Sequence, residues 1–320
     1  MPISRRGFLQ QTGSGLAAIA LTGDAALAAD KETLPKRTLG RTREKVSLLG
    51  IGMAPLGSAN TSVAQAEAVV HAALDSGITY VDVSPDYGNA EIKLRGVLRT
   101  RRAGLFLVTK VNPDRQDRKG VVAQIGESLK RLGVDHLDAV HIHNLGDFDR
   151  ASVLGPDGAL AGLKEARASG LLRFIGTSGH LRPARFVEAI ATGEIDLTMN
   201  ALNFADRYNY PFEELVLPIA RKHRTAIVAM KVLGGAQGWR YDGKTSGTLS
   251  AHHAESIRYS LGLSDVACAV IGFSTVEEVG QAVAVARHFK PLTASERTSL
   301  LAVGKQLAQA RGLYYGPVTG

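Results

Sequence analysis

Residues 63–84 read VAQAEAVVHAALDSGITYVDVS, and their reading decides the fold. The alanines and valines of the first part recur at the spacing of one helical face. That pattern stops at Gly77, a residue type suited to the left-handed turn that ends a helix. Thr79–Ser84 (TYVDVS) then switches to a short β-branched and aromatic run, the signature of a buried strand. Seven further runs of this kind follow or precede it: LLGIGM (48–53), LFLVTKV (105–111), LDAVHIH (137–143), LRFIGTS (172–178), DLTMNAL (196–202), AIVAMKV (226–232) and ACAVIGF (267–273). Amphipathic stretches separate them, among them VVAQIGESLKRLG, ending at Gly133, and ALAGLKEARASG, ending at Gly170. Strands alternating with helices in this number predict an α/β protein, a single closed (β/α)8 TIM barrel. KRTLGRTREKVSLLG (36–50) reads as an N-terminal β-hairpin turning at Gly40–Arg41 and placed to plug the lower mouth of the barrel. ASERTSLLAVGKQLAQARG (294–312) reads as an extra C-terminal helix.

The composition agrees with one globular body. Of 320 residues 45% are hydrophobic and 21% charged, enough to bury a sizeable core. The single cysteine, Cys268, excludes an internal disulfide and lies in an apolar run, so it is expected to be buried and inert. The formal charge of +8 is spread through helical patterns such as IKLRGVLRTRR (92–102) without aromatic interleaving. A solvated basic surface is expected there, with no nucleic-acid partner. Ser4–Gln10 (SRRGFLQ) resembles the twin-arginine export motif; an apolar run, GSGLAAIALTG, and a small-x-small site at Ala26–Ala28 follow it. The run is far shorter than the ~20 residues a spanning helix needs. The expected division is therefore a signal peptide over 1–29 and a barrel over 30–320. The twin-arginine translocase would be a partner, the location periplasmic, and stable membrane insertion absent.

Four polar residues stand at or just past the C-terminal ends of successive strands: Asp82, Tyr87, Lys110 and His143. In a parallel barrel those ends open on one face, where active sites form. VDVSPDYGNAE (81–91) resembles the F-D-T-A-x-x-Y-G-x-x-E segment of aldo-keto reductases, and LVTKV (107–111) resembles their lysine strand. LDAVHIHN (137–144) is similar to their D-x-x-x-x-H segment, GLLRFIGTSGH (170–180) to G-K-I-R-x-I-G-V-S-N, and 37–57 to their opening hairpin and first strand. The resemblance implies an NAD(P)H-dependent carbonyl reductase acting on a small aldehyde or ketone, or on the matching alcohol, as a monomer. Reducing a carbonyl leaves charge on oxygen, so a positioned acid must serve it. Tyr87, a phenol with pKa ~10, is the expected acid. Lys110 would make it a stronger donor, Asp82 would hold that ammonium, and His143 would orient the carbonyl. His141 points the same way as His143 from one strand and is expected to be a hydrogen-bonded interior residue. No metal is expected, since Lys110 would repel one.

The resemblance also implies contacts to NADP, with NAD as the alternative. Ser178 and Asn200 would hold the nicotinamide carboxamide, Asn200 standing where the family has glutamine. Met230 replaces an aromatic under the nicotinamide, and Lys231 would meet pyrophosphate, with Leu233 and Gly234 beside it. Gly272, Ser274, Thr275 and Glu278 begin the last barrel helix, whose N-terminus can receive phosphate. Gly179 stands where the family has asparagine, and the segment at Ser274 lacks the basic residue that grips a 2′-phosphate. Two other readings are open: a nucleotide-binding sensor without turnover, and a Rossmann dehydrogenase built on Gly50-x-Gly52. Pro55 and its neighbours, which open no helix pattern, weigh against the second.

Overall fold

The computed structural model describes residues 33–112, 117–236 and 247–320. The expected export motif and cleavage site lie outside the described residues. Leu34–Gly320 is one compact unit.

Eight parallel strands close into a barrel: β3 (Leu49–Gly52), β4 (Tyr80–Asp82), β5 (Phe106–Val111), β6 (Leu137–His143), β7 (Leu172–Gly179), β8 (Leu197–Ala201), β9 (Ala226–Met230) and β10 (Val266–Gly272), which pairs back with β3. The hairpin is β1 (Lys36–Thr38) against β2 (Lys45–Ser47), antiparallel. Its Leu39 and Val46 pack with Tyr80, Phe106, Ala139 and Leu197 inside the barrel, so it closes the lower mouth as expected. Above that apolar plug the strands alternate. Val81, Leu107, Val140 and Ile175 face the helices, while Asp82, Lys110 and His143 face the upper interior.

The helices sit where the periodicity puts them. Helix α1 (Val63–Asp75) buries Ala66, Val69, Val70, Ala73 and Leu74, and its N-cap, Ser62, accepts from the Gln65 N–H. The chain turns at Gly77 with φ 94°. Helix α10 (Ala294–Arg311) is the extra C-terminal helix, docked through Leu300, Gly304 and Ala308.

Three local expectations change. β9 ends at Met230 and not at Val232, because Lys231 takes a left-handed φ of 54° that no strand continues. A five-residue helix, α4 (Arg150–Leu154), stands between LDAVHIH and ALAGLKEARASG, where the sequence pattern marked no element. Lys93, read as part of a solvated basic face, is buried on α2 (Ala90–Arg101). Its Nζ donates to the carbonyls of Leu56, Ser58 and Thr61 at 2.9, 2.7 and 2.7 Å. It thereby fixes the loop after β3, and its positive charge is held by three backbone carbonyls.

Candidate active site

Asp82, Tyr87, Lys110 and His143 meet at the upper mouth. The Lys110 Nζ donates to Asp82 Oδ1 at 2.6 Å and to the Val83 carbonyl at 2.9 Å. Both side chains are almost fully buried, at 1% and 4% exposure, so the carboxylate is what makes an ammonium tolerable there. Burial still holds the Lys110 amine below its ordinary pKa; Asp82 opposes that shift, and the charge of Lys231 adds to it. The same Nζ lies 4.7 Å from the centroid of the Tyr87 ring. The Tyr87 and His143 rings meet edge to face with centroids 6.2 Å apart.

Local backbone chemistry puts Tyr87 there. Gly57 packs so closely on the Tyr87 carbonyl that a Cβ would stand 1.6 Å from it, and the Gly57 carbonyl accepts from Asn89 N–H at 3.1 Å. Only glycine allows the loop after β3 to clamp the tyrosine loop this tightly.

Asp86, which the sequence reading did not single out, completes the cluster. Its Oδ2 lies 3.0 Å from His143 Nδ1, and its other oxygen accepts from the Asn112 amide. Burial would raise the Asp86 pKa, yet His143, Asn112 and Lys110 hold it below the usual carboxylate value. No spacing rule marks this pair, because the two residues stand 57 positions apart.

His141 corrects its expectation. It is fully buried, and neither ring nitrogen has a hydrogen-bond partner. Its ring fills the space beside Gly176, where a Cβ would come within 2.2 Å of it. Burial, then Lys110 and His143, push its pKa far down, so the ring is neutral.

A cleft opens beside the four residues, lined by Gly52, Pro55, Tyr87, Met199 and Met230, with Lys231, Leu233 and Gly272 along it. Two of the expected carboxamide contacts carry unused polar atoms: Ser178 Oγ and Asn200 Nδ2 are buried without a partner. Asn200 Oδ1 is taken by the Thr198 hydroxyl at 2.9 Å, which aims the amide nitrogen away from that bond. A hydroxyl and an amide N–H left unpaired at neighbouring strand ends suit a ligand carboxamide, so their chemistry fits a nicotinamide, although neither side chain is among those lining the cleft. Gly179 has no room for the family's asparagine, since a Cβ there would stand 2.8 Å from Phe186.

Other expected contacts lie elsewhere. Gly234 is not on the cleft; it turns with φ 79° and gives its carbonyl to Arg311 at 3.1 Å, while Gly235 lines the cleft. Ser274, Thr275 and Glu278 form one cluster at the start of α9 (Val276–Arg287). There the Ser274 N–H donates to the Glu278 carboxylate at 2.6 Å, and the Glu278 N–H donates to Thr275 Oγ1 at 3.3 Å.

The model of the Aldo/keto reductase family matches residues 48–256. The chain belongs to the aldo/keto reductase family. L-galactose dehydrogenase of Arabidopsis thaliana is 26% identical to this reductase over 315 residues, 87% of this chain and 98% of that one. Pyridoxal 4-dehydrogenase of Microbacterium luteolum is 29% identical over 240 residues, 60% of this chain and 69% of that one. Among solved structures, the holo form of an aldo-keto reductase from Bacillus halodurans superposes with a TM-score of 0.69 at 23% identity, covering 84% of this chain and 96% of that one. The chemistry of this reductase is nicotinamide-dependent oxidoreduction between a carbonyl and an alcohol.

Proposed function

We propose that this reductase uses NADP(H), with NAD(H) as the alternative, to interconvert a small aldehyde or ketone and its alcohol at the mouth lined by Asp82, Tyr87, Lys110 and His143. The observation that carries the reading is the buried Lys110–Asp82 pair set 4.7 Å beneath the Tyr87 ring, with His143 at the ring's edge. When bound, the nicotinamide supplies or accepts the hydride. Tyr87 donates to the reacting oxygen, and the charge of Lys110 strengthens that donor as negative charge develops. Asp82 keeps the ammonium in place. His143 stands on the other side of the same oxygen and fixes its direction. Ser178 Oγ and Asn200 Nδ2 would hold the carboxamide, Met230 would lie under the nicotinamide ring, and Lys231 would face the pyrophosphate. An aldo/keto reductase from Klebsiella pneumoniae, described in complex with NADP and acetate, shares the fold at a TM-score of 0.67 and 21% identity.

We propose further that Ser4–Gln10 directs export to the periplasm by the twin-arginine translocase, and that the protein leaves the cytoplasm folded, with its nucleotide bound. The support is the motif, its apolar run and the site at Ala26–Ala28. A small-molecule substrate and a monomeric state complete the proposal. The test of the activity is a panel of aldehydes, ketones, sugars and pyridoxal-type alcohols assayed with both coenzymes in both directions. Turnover that disappears in Lys110→Met supports the reading. Tight nucleotide binding with no turnover anywhere in the panel would replace it with the sensor reading.

A further inference from the structure

Tyr87 stands on a loop that has little to hold it. Its neighbours Asp86, Gly88 and Asn89 are exposed, so the segment buries few side chains of its own. What holds it comes from outside. Gly57 packs on the Tyr87 carbonyl, and the Gly57 carbonyl accepts from Asn89 N–H at 3.1 Å. The residues on either side of Gly57 in the chain are Leu56 and Ser58, and the carbonyls of both are held by the Lys93 Nζ.

Lys93 is an unusual anchor. Its side chain is buried, burial lowers its pKa, and among the described residues no carboxylate pairs with it. An ammonium has three N–H bonds to give, and all three go to one loop, at Leu56, Ser58 and Thr61. The Lys93 backbone N–H in turn donates to the Asn89 carbonyl at 2.9 Å. The contacts therefore close a ring, from the Lys93 side chain to the loop at Gly57, from Gly57 to the tyrosine segment, and from Asn89 back to Lys93. Resting on the reductase reading above, we propose that Lys93 is a positioning residue for Tyr87, holding the carbonyls on both sides of Gly57 so that the phenol stays beside the Lys110 charge and within reach of the reacting oxygen.

The charged and titratable groups around Tyr87 are Lys110 from β5, Asp82 from β4, His143 from β6 and Asp86 from its own loop. Lys93 bonds to none of them, so it acts on the phenol only through the backbone it fixes. A group misplaced by about 1 Å can cost on the order of 10²-fold in rate. The attraction between a phenolate and the Lys110 ammonium also falls as they separate, which makes the phenol harder to ionise.

Two measurements on the full-length protein test this. Lys93→Met removes the charge and keeps an unbranched stem. Carbon-13 NMR of protein labelled at tyrosine Cζ, assigned with Tyr87→Phe, needs no turnover; the ionisation of Tyr87 should move to higher pH in Lys93→Met. The second is the single-turnover rate of reduction of an aldehyde from the panel, followed across pH. Tyr87 must hold its proton to serve reduction, so the alkaline limb should move to higher pH with it. The plateau should fall about 10- to 100-fold, with KM within a few-fold, and Lys93→Arg, which keeps a cation with donors, should recover part of the rate. Should Lys93→Met fail to fold, Lys93→Gln keeps two N–H donors without the charge and carries the same comparison. A folded variant that loses stability but leaves the Tyr87 ionisation, the limb and the plateau in place would overturn the proposal, as would failure of both variants to fold; Lys93 would then serve the fold alone. Turnover by the wild type with an unmoved Tyr87 ionisation in the variant defeats the positioning alone. A moved ionisation with no turnover by the wild type anywhere in the panel supports the anchoring of Tyr87 and defeats the reductase reading.

Discussion

On the proposed reading the chemistry at Tyr87 rests on one hydroxyl, whose ring lies 4.7 Å from the Lys110 ammonium. Tyr87→Phe keeps the ring on Lys110 Nζ and removes only the donor to the reacting oxygen. Loss of one such donor typically costs ~10²–10³ in kcat. The expected outcome is a fall of that size with nucleotide affinity within a few-fold of wild type, read by steady-state kinetics and fluorescence titration. More than about a tenth of the wild-type rate, with chemistry rate-limiting, would remove Tyr87 from the reacting oxygen. That Asp82, Tyr87, Lys110 and His143 would meet was legible because each is a polar residue at or just past a strand end, and strand ends can be counted. Asp86 was not legible, although it sits beside Tyr87, because its importance depends on which ring it reaches across the barrel. His141 failed for a related reason: alternation shows that it points inward, and says nothing about whether a partner waits there.

Among the elements, the C-terminal segment is the one whose role outgrew its pattern. Arg311, at the end of α10, donates from Nε to the buried Asp206 carboxylate at 3.1 Å, from Nη2 to the Gly234 carbonyl and from Nη1 to the Thr248 hydroxyl. Tyr314 adds a bond from its hydroxyl to the Ala236 carbonyl at 2.6 Å. The last helix thus holds the segment after β9 that lines the cleft. Arg311→Ala leaves Asp206 buried without its cation and should cost about 3 kcal/mol of stability, readable in urea unfolding. It should also weaken nucleotide binding, since the 234–236 segment loses the Arg311 donor at the Gly234 carbonyl. Unchanged affinity with the stability loss present would show that the clamp serves the fold alone. The helix itself was predictable from its apolar spacing; the clamp was not, because Arg311 and Asp206 are paired only once the helix has docked.

For the whole molecule, nucleotide binding and folding are linked. A nucleotide that binds only the folded barrel should raise its unfolding free energy by about 4.1 kcal/mol at a thousandfold excess over the dissociation constant. Thermal melts with and without NADPH and NADH, together with titrations, would measure this for each coenzyme. NADPH is expected to bind at least as tightly, and tenfold tighter NADH binding would reverse the coenzyme assignment. Replacing Arg5 and Arg6 by Lys should hold the precursor in the cytoplasm; an unchanged periplasmic yield would count against the export motif.

The sequence by itself determined the barrel, its plug and its last helix, because those depend on periodicities that each segment carries alone: 2 for a strand, 3.6 for a helix. It determined the order of Asp82, Tyr87, Lys110 and His143 for the same reason. Only the tertiary structure decided what those side chains are bonded to. Burial turned Lys93 from a surface charge into a clamp on three carbonyls. The left-handed turn at Lys231 ended β9 two residues early and sent Gly234 to Arg311 instead of the cleft. The closure of the barrel brought Asp86 to His143 across 57 residues of chain. Hydrogen bonds act over about 3 Å in space and are indifferent to distance along the chain, so the proton inventory of the site exists only after folding.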